Sequence, residues 1–375
     1  MAPSQALKLD AHDDWVEPPK PRAGPKEFMV SGVKLKTTPV FDAYWYFAAE
    51  RQRIFYRKIR RSNRSVLSDD PIFQDFKFTN SYRASDRVSQ YLIRHVIYPE
   101  EERYSHEDTF FRILLFKLFN KIETWCALEE EFGDLCLRRY NFEEFDAFLN
   151  ERHGAGERIY AAAYIMPSAG RVFGHAKKHS NHLALIEWML DQRYPDRLSS
   201  CETMSEGFDL LSEAPSLGPF LAYQFVTDVN YSEVTNFSEM EFVVPGPGAL
   251  DGISKCFEDT ASVSPTDIIK AVAQQQIQMF TLRGIVFPSL WSRELQLIDC
   301  QNLFCEISKY SRVAFPSITG VAGRTRIKQK YRPGPQLSAP FYPPDWGLND
   351  KIIAVDDPSY EPGSVMARTE QLKLL

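Results

Sequence analysis

Three side chains near the end of the chain are of the types that perform acid–base chemistry. Asp299 and Glu306 are seven residues apart, so that they share one face of a helix, and Lys309 lies one turn beyond. The two carboxyl groups would be about 10 Å apart along that helix, which is too far to share a proton but close enough to flank a substrate. We therefore predict Asp299, Glu306 and Lys309 as catalytic candidates. The alternative is a polar network that fastens this helix to the basic segment after it.

A polar row at 80–90 has the composition of a site that reads a base. Arg83, Asp86 and Gln90 recur at intervals of three or four residues and share one helical face, which Asn80 begins. If buried, such a row offers hydrogen bonds to the edge of an extruded base, and we predict these four residues as a base pocket. Helix capping by Asn80 and an ion pair between Asp86 and Arg83 explain the same row equally well.

Two glycine turns stand before apolar helices. The first is 216–222 (SLGPFLA) with Gly218, and the second is 242–249 (FVVPGPGA) with Gly246 and Gly248. A turn that opens a helix presents free backbone N–H groups, which suit a phosphate. We predict that Gly218 contacts DNA backbone and that Gly246 and Gly248 border the base pocket.

These two turns resemble the hairpin and the active-site turn of the helix-hairpin-helix DNA glycosylases. In that superfamily a catalytic aspartate follows the hairpin by roughly twenty residues, but Pro245 and Gly246 stand at the aligned positions here. The resemblance therefore implies DNA docking without base excision. Asp251 could replace the missing carboxylate only if the turn were rebuilt.

Two basic segments could contact phosphates. Seven arginines and lysines fall within 51–64, among which we predict Arg57 and Arg61 at the DNA backbone; the alternative is a solvated helix face. In 324–332 every second residue is basic, so that an extended chain aligns the charges of Arg324, Arg326 and Lys328 over about 27 Å together with two further cations. The alternative for this segment is an edge strand protected by its charges.

Several kinds of chemistry have no signature in the sequence. His175, His179 and His182 have no further metal ligand nearby, so a basic turn without a metal is expected. Neither a GxxxxGK[ST] phosphate loop nor a GxSxG elbow is present in the 375 residues, and we predict no cofactor. Six cysteines without a CxxC pair indicate reduced thiols and an intracellular protein, nuclear in a eukaryote and otherwise cytoplasmic.

The apolar spacing predicts an all-α fold, a single large helical domain like the glycosylase scaffold. The predicted helices are 41–56, 80–97, 110–128, 143–152, 156–165, 180–191, 205–213, 218–230, 247–257, 264–278 and 289–312. The expected organisation is a disordered tail (1–27), a helical base-recognition domain (28–315), a basic and then proline-rich extended segment (316–347) and a loosely ordered tail (348–375). A net charge of −6 means that any nucleic-acid contact is a local patch, and no run is long and apolar enough for a membrane span.

A set of motifs from about residue 40 to 347 resembles the helical-domain family of 5-hydroxymethyldeoxyuridine (5-hmdU) DNA kinases, also called the α-glutamyl/putrescinyl-thymine pyrophosphorylase group. The motifs are 47–52 (FAAERQ), 78–83 (FTNSYR), 112–120 (RILLFKLFN), 245–249 (PGPGA), 297–299 (LID), 305–306 (CE) and 324–328 (RTRIK). The resemblance implies work on thymine-like bases of hypermodified DNA. It also implies a separate kinase or oxygenase of the same pathway as a partner.

The leading hypothesis is a DNA-binding, base-flipping helical protein of a thymine hypermodification system, with modified thymine bases in DNA as its partner. The first alternative is a transferase that acts on modified thymidine in DNA, with Asp299, Glu306 or Asp228 as its acid or base. A second alternative is a helical interaction protein without catalysis.

Overall fold

The computed structural model describes residues 22–59, 67–100, 103–162, 166–332 and 339–356. Within these ranges the fold is almost entirely helical, which confirms the predicted all-α class. One antiparallel hairpin, β1 (Glu27–Val30) and β2 (Val33–Lys36), forms the sheet that the described residues contain. The predictions for 1–21, Arg61, 333–338 and 357–375 lie outside the described residues.

The helices follow one another along the chain, with longer irregular segments at 230–246 and 283–296. They are α1 (Pro39–Ile59), α2 (Pro71–Asp75), α3 (Arg87–Tyr91), α4 (His106–Phe119), α5 (Ile122–Phe132), α6 (Phe142–Gly154), α7 (Gly170–Phe173), α8 (Lys178–Asp191), α9 (Tyr194–Ser199), α10 (Met204–Ser212), α11 (Pro219–Val229), α12 (Pro247–Cys256), α13 (Pro265–Gln274), α14 (Gln276–Leu282), α15 (Leu297–Ala314) and α16 (Asn349–Asp356). Two 3-10 turns (Arg83–Ser85 and Pro344–Trp346) and a π-helical turn (Leu92–Ile97) complete the list.

The long helix α15 lies at the centre of the packing that positions the site. It contacts α1, α12 and α13, and α12 lies along it most extensively. This approach is so close that a methyl group on Gly252 of α12 would overlap the carbonyl oxygen of Phe304. Glycine at this position therefore lets two helix backbones meet, and α15 is held rigidly against α12.

Five predicted helices differ from the structure. The predicted helix 80–97 is a 3-10 turn (Arg83–Ser85) followed by α3 and the π-helical turn, and the predicted helix 264–278 is the two helices α13 and α14. The predicted helix 110–128 is two helices, because Asn120 adopts a left-handed conformation (φ 50°) and caps α4. The predicted helix 156–165 is wrong in its described part: Gly156 has a φ of 83°, and Ala161 N–H donates to Phe119 O, so 155–162 is an irregular segment tied to α4. The predicted helix 289–312 begins eight residues later, at Leu297, where Gln296 and Asp299 form a capping box.

The chain after 338 returns to the helical body. Tyr342 is completely buried and its hydroxyl lies 2.7 Å from Ser85 Oγ, while Leu348 and Ile352 join the hydrophobic core. The first part of the expected loose tail is therefore packed against the domain. Among the helices of the described ranges, none has both the length and the apolar character to cross a membrane.

A candidate nucleic-acid site: the charged cluster of α1 and α15

The basic half of α1 turns most of its arginines inward. Arg53 Nη2 donates to Val286 O at 2.9 Å, and Arg57 Nη1 donates to Glu50 Oε1 at 3.1 Å and to Leu67 O at 2.5 Å. These guanidinium groups fasten α1 to neighbouring loops. The predicted DNA-backbone role of Arg57 does not fit this geometry, because a charge with internal partners has little capacity left for a phosphate.

Arg51, on the same helix, differs from its neighbours. Its side chain is 8% exposed, and Nη1 has no hydrogen-bond partner among the described residues. Burial lowers the pKa of Arg51, while the nearby charges of Asp86 and Glu306 act in the opposite direction. A buried guanidinium with a spare donor is costly unless a partner satisfies it. Arg51 can therefore donate to an anion or a carbonyl oxygen that enters the cluster.

The carboxyl group of Asp86 lies near Arg51 and has a pKa close to neutral pH. It accepts a hydrogen bond from Asn80 N–H at 2.7 Å, and the residue is half-buried. Burial raises the pKa of Asp86 to about 6, although the Asn80 hydrogen bond and the charge of Arg51 both lower it. A carboxyl group with this pKa exchanges its proton near physiological pH, so it can act as a donor or as an acceptor.

Glu306 and Lys309 bring the second charged pair to the cluster from α15. Glu306 Oε2 accepts the N–H of Thr79 at 3.2 Å, and Lys309 Nζ lies 2.5 Å from Glu306 Oε1. Burial acts to lower the pKa of Lys309, but the Glu306 carboxylate outweighs it and the pKa is raised. Lys309 is therefore a permanent cation beside Glu306 and is 22% exposed.

Lys58 and Tyr331 lie at the outer edge of the same group of charged residues. Lys58 Nζ lies 5.1 Å from the centre of the Tyr331 ring, and burial together with the charges of Arg51 and Lys77 lowers the pKa of Lys58 to about 8. Tyr331 is positioned by its own N–H, which donates to Asp75 O at 2.9 Å. We call the six residues joined by these interactions the charged cluster: Arg51, Lys58, Asp86, Glu306, Lys309 and Tyr331.

The two glycine turns meet near this cluster. A Cβ on Gly246 would lie 2.8 Å from Phe220 Cε2, so 216–222 and 242–249 are adjacent. Gly248 fits against Cys305 Sγ, one residue before Glu306. The N-cap residue of α12 is Gly246, which has no side chain to accept the first backbone N–H groups of the helix. Gly218 begins α11, is exposed and is likewise without a side-chain cap.

Three members of the predicted base pocket are occupied by internal partners. Asn80 Nδ2 donates to Ser85 O at 2.6 Å, and Gln90 exchanges two hydrogen bonds with the backbone of Phe341. Arg83 is 2.6 Å from Asp228, whose other oxygen pairs with Lys117 at the same distance. Asn80 and Arg83 are buried, whereas Asp86 and Gln90 are half-buried. Because these hydrogen bonds close the row, Asp86 is the member that lies in the charged cluster.

Asp299 has a fastening role in this structure. Its two oxygens accept the N–H groups of Arg83 at 2.7 Å and Gln296 at 3.0 Å, and burial raises its pKa to about 7. With the bond from Thr79 to Glu306, α15 holds 79–83 by two backbone contacts. The geometry therefore favours the alternative in which polar residues of α15 fasten this helix to a neighbouring segment. That segment is 79–83, and not the basic segment that the sequence suggested.

The second basic segment is exposed and extended. Arg324, Arg326 and Lys328 are exposed, and the segment is attached by Arg312, which donates to Arg326 O at 3.0 Å, and by Lys77 N–H, which donates to Gln329 O at 3.0 Å. The charge of Arg324 reaches Cys305, so the segment runs beside the charged cluster. The residues predicted to contact phosphates therefore lie next to Glu306 and Lys309 of the charged cluster.

The histidines lie elsewhere and are used internally. His182 is hydrogen-bonded to Tyr160 Oη at 2.9 Å and to Pro167 O at 2.7 Å, and burial lowers its pKa to about 4. His179 lies 3.5 Å from Asp146. In the part of the chain that the structure describes, no three His, Cys, Asp or Glu side chains are grouped as a metal site.

Two clefts lie away from the charged cluster. One of about 560 Å³ is bordered by the π-helical turn and the returning chain, with Arg94, Tyr98, Tyr104 and Phe341 among its lining residues. The other, of about 440 Å³, lies between α6 and α8 and includes His175. Neither contains a residue that the sequence predicted for a site.

Sequence reasoning missed three of the six members of the charged cluster. Arg51 and Lys58 were part of a basic run, but α1 turns other cations of that run toward internal partners. Their spacing could have distinguished Arg51 and Lys58 from the other cations of the run, since the two are seven residues apart and share a helical face. Tyr331 has no signal of its own beyond its place in the basic segment.

Comparisons with known proteins agree on one family. The model for the helical domain of 5-hmdU DNA kinase matches residues 38–320. A curated relative, the 5-hmdU DNA kinase of Bacillus phage SP10, is 26% identical over 300 residues, which are 74% of this chain and 46% of the phage protein. The chain thus spans about half the length of that relative.

No solved structure gives a significant match, so the likeness to helix-hairpin-helix glycosylases stays a prediction. The family match, in contrast, covers most of α1 to α15, including every helix that borders the charged cluster. This chain belongs to the family of 5-hmdU DNA kinase helical domains.

Proposed function

We propose that this chain binds DNA in a thymine hypermodification system and holds an extruded 5-hydroxymethyluracil, or a related modified thymine, at the charged cluster. The base is taken from the name of the phage relative, which is a 5-hmdU DNA kinase. A separate kinase or oxygenase of the pathway would supply the chemistry before or after this step.

The observation that carries the proposal is the buried Arg51 near Asp86, because Arg51 Nη1 has no hydrogen-bond partner among the described residues. A pyrimidine ring has carbonyl oxygens and an N–H on its pairing edge, and the 5-hydroxymethyl group adds a hydroxyl. Arg51 Nη1 can donate to such an oxygen, and Asp86, with a pKa of about 6, can accept from the N–H or the hydroxyl. Tyr331 provides an aromatic face at the outer edge of the cluster.

The exposed segment 324–332 supports a DNA backbone next to that base. Arg324, Arg326 and Lys328 are exposed, in contrast to the inward-facing arginines of α1. The charge of Arg324 reaches Cys305, which contacts Gly248 at the start of α12. Extrusion costs a few kcal/mol in a duplex, so both backbone contacts and a base site are needed to hold the extruded state.

The test is equilibrium binding of a fluorescent duplex that contains one 5-hydroxymethyluracil, compared with the same duplex with thymine. We expect tighter binding of the modified duplex by the wild-type protein. The double variant Arg324→Ala, Arg326→Ala should bind both duplexes more weakly and lower the slope of log K against log salt by up to about 2.

A suitable control is the double variant Arg193→Ala, Arg197→Ala, which removes two exposed cations at α9 that pair with Asp196 and Glu213. This variant should keep the wild-type salt slope. Equal slopes for the wild type and the 324/326 variant would refute the backbone assignment, and equal affinities for the two duplexes would refute the base assignment.

One observation supports the transferase alternative: the Asp86 carboxyl group, with a pKa of about 6, lies next to the Lys309–Glu306 ion pair. Its test is incubation with DNA that contains 5-hydroxymethyluracil or 5-phosphomethyluracil, with and without ATP and amines, followed by digestion and mass spectrometry of the nucleosides. A new nucleoside that disappears in Asp86→Asn would establish the transferase; unchanged nucleosides in all mixtures would reject it.

A further inference from the structure

Val321 is an apolar side chain held in solvent. It is 75% exposed, more than any other large apolar residue in the described part of the chain. It lies in a short turn, 320–323, in which Gly323 has a φ of 60° and Gly323 N–H donates to Gly320 O at 3.2 Å. A single exposed valine is ordinary, so its meaning depends on what holds it and what surrounds it.

The turn is fastened from below by α12. Ala322 N–H donates to Asp251 Oδ1 at 2.7 Å and Val321 N–H donates to Ser254 Oγ at 3.2 Å. Asp251 is itself 1% exposed and is fixed by Ser308 and by Lys255, whose Nζ lies 3.3 Å away. Two backbone N–H groups on a buried, paired support make the tip of the turn stiff, so Val321 is presented to solvent rather than free to fold back.

The position of the turn connects it to the charged cluster. Asp251 follows Gly248, the residue of α12 that contacts Cys305, by three residues, which is about 4.5 Å along the helix. Leu250, 39% exposed, precedes Ser254 by one helical turn and adds a second apolar side chain on this side. Arg324, three residues after Val321, begins the exposed basic segment.

We propose that Val321 is the wedge that enters the DNA stack when a base is extruded. The inference rests on the proposed function and deepens it. A stiff aliphatic tip beside aligned cations has the chemistry of an intercalating side chain: the cations bind the phosphates on either side, and the apolar tip fills the space that the base leaves. The exposed cations that follow Val321, from Arg324 onward, favour a nucleic-acid stack as the partner of this apolar tip.

The experiment uses the full chain and a duplex with 2-aminopurine next to a 5-hydroxymethyluracil. Fluorescence of 2-aminopurine rises when its stacking is lost, so it reports extrusion, while anisotropy of an end label reports binding. Val321→Ala should bind the duplex nearly as well as the wild type. The ratio of extruded to stacked base should be roughly tenfold smaller, because the alanine buries two fewer methylene groups in the stack.

Three further measurements separate a wedge from a structural role. Val321→Leu should restore the 2-aminopurine signal, since it keeps an apolar tip. Val172→Ala, the same change at a 57% exposed residue of α7, should leave the signal at the wild-type value. On single-stranded DNA, in which no stack has to be filled, Val321→Ala and the wild type should bind equally.

The outcomes distinguish this inference from the proposed function. If the wild type binds DNA and raises the fluorescence but Val321→Ala does so equally, the wedge is refuted and the base-binding proposal is retained. If the wild type binds no DNA or leaves the fluorescence unchanged, the proposed function and the wedge fail together. Equal melting temperatures of all variants are expected, because Val321 is outside the core.

Discussion

At the scale of single residues, Asp86 is the carboxyl group of the charged cluster whose pKa is shifted toward neutral pH. Burial holds its pKa at about 6, well above the usual 3.8 of an aspartate, so the folded protein favours the protonated form. The stabilisation due to that preference is complete below pH 4 and is lost as the pH rises through 6. The cluster is therefore less negative at pH 5 than at pH 8.

Replacing Asp86 by asparagine should remove this pH dependence. Asparagine keeps an oxygen that can accept the Asn80 N–H but cannot ionise, so we expect Asp86→Asn to gain thermal stability relative to the wild type between pH 5 and pH 8. Melting temperatures measured at several pH values check this. A difference between the two proteins that is the same at pH 4.5 and pH 8 would show that Asp86 titrates outside this range.

Arg51 should matter for DNA and little for folding. Arg51→Met removes the attraction of the guanidinium to Asp86 and Glu306, but it also removes the larger cost of burying that charge, so we expect the melting temperature to stay near the wild-type value. Because Arg51 Nη1 has no partner among the described residues, the same change should weaken binding of the 5-hydroxymethyluracil duplex by about tenfold. The matched change Arg53→Met should instead cost about 2 kcal/mol of unfolding free energy, because Arg53 bonds Val286 O. A loss of stability in Arg51→Met with unchanged DNA affinity would assign Arg51 to the scaffold.

At the scale of elements, the contact between α12 and α15 determines where the start of α12 lies. Gly252 permits this contact, since its missing Cβ leaves room for the Phe304 carbonyl. We expect Gly252→Ala to lower the free energy of unfolding by about 3 kcal/mol and to weaken DNA binding with it. Gly154→Ala in α6, where nothing lies within 4 Å of the added methyl group, should be neutral or slightly stabilising by chemical denaturation. Equal stability of the two variants would contradict the close packing of α12 on α15.

Much of this element structure can be predicted from the sequence, for reasons that also explain the failures. Helices such as α1, α8 and α11 have an apolar spacing that is visible without the fold. The segments 156–162 and 289–296 have the residues of helices, yet bonds to α4 and a turn at Trp291 and Ser292 keep them irregular. The hairpin of β1 and β2 has four residues per strand, too few for an alternation to stand out.

The candidate site was less predictable, because partners decide the role of a polar residue. Asp86, Glu306 and Lys309 were predicted and do lie together, whereas Arg83 and Gln90 have the same local pattern but face Asp228 and Phe341. Sequence spacing gives the face of a helix; it does not give what the fold places against that face.

At the scale of the whole molecule, the segment 339–348 packs against the helical domain next to the charged cluster. Tyr342 is fully buried against Ser85, next to the residues that hold Asp86, and the Trp346 ring stacks on it at 5.9 Å. Tyr342→Ala should lower the free energy of unfolding by about 4 kcal/mol, whereas Tyr342→Phe, which loses one hydrogen bond, should cost about 1 kcal/mol. Denaturant titrations check both, and a small effect of Tyr342→Ala would mean that 339–348 is not part of the folded unit.

The account as a whole claims that a thymine-type base reaches the charged cluster. Photo-cross-linking tests this directly, with 5-iodouracil at the target position of a duplex and the attached peptide identified by mass spectrometry. The expected result is attachment to the peptide that contains Tyr331 or Lys58, with a reduced yield in Arg51→Met. Attachment at Tyr98 or Tyr104 in the distant cleft would contradict the claim.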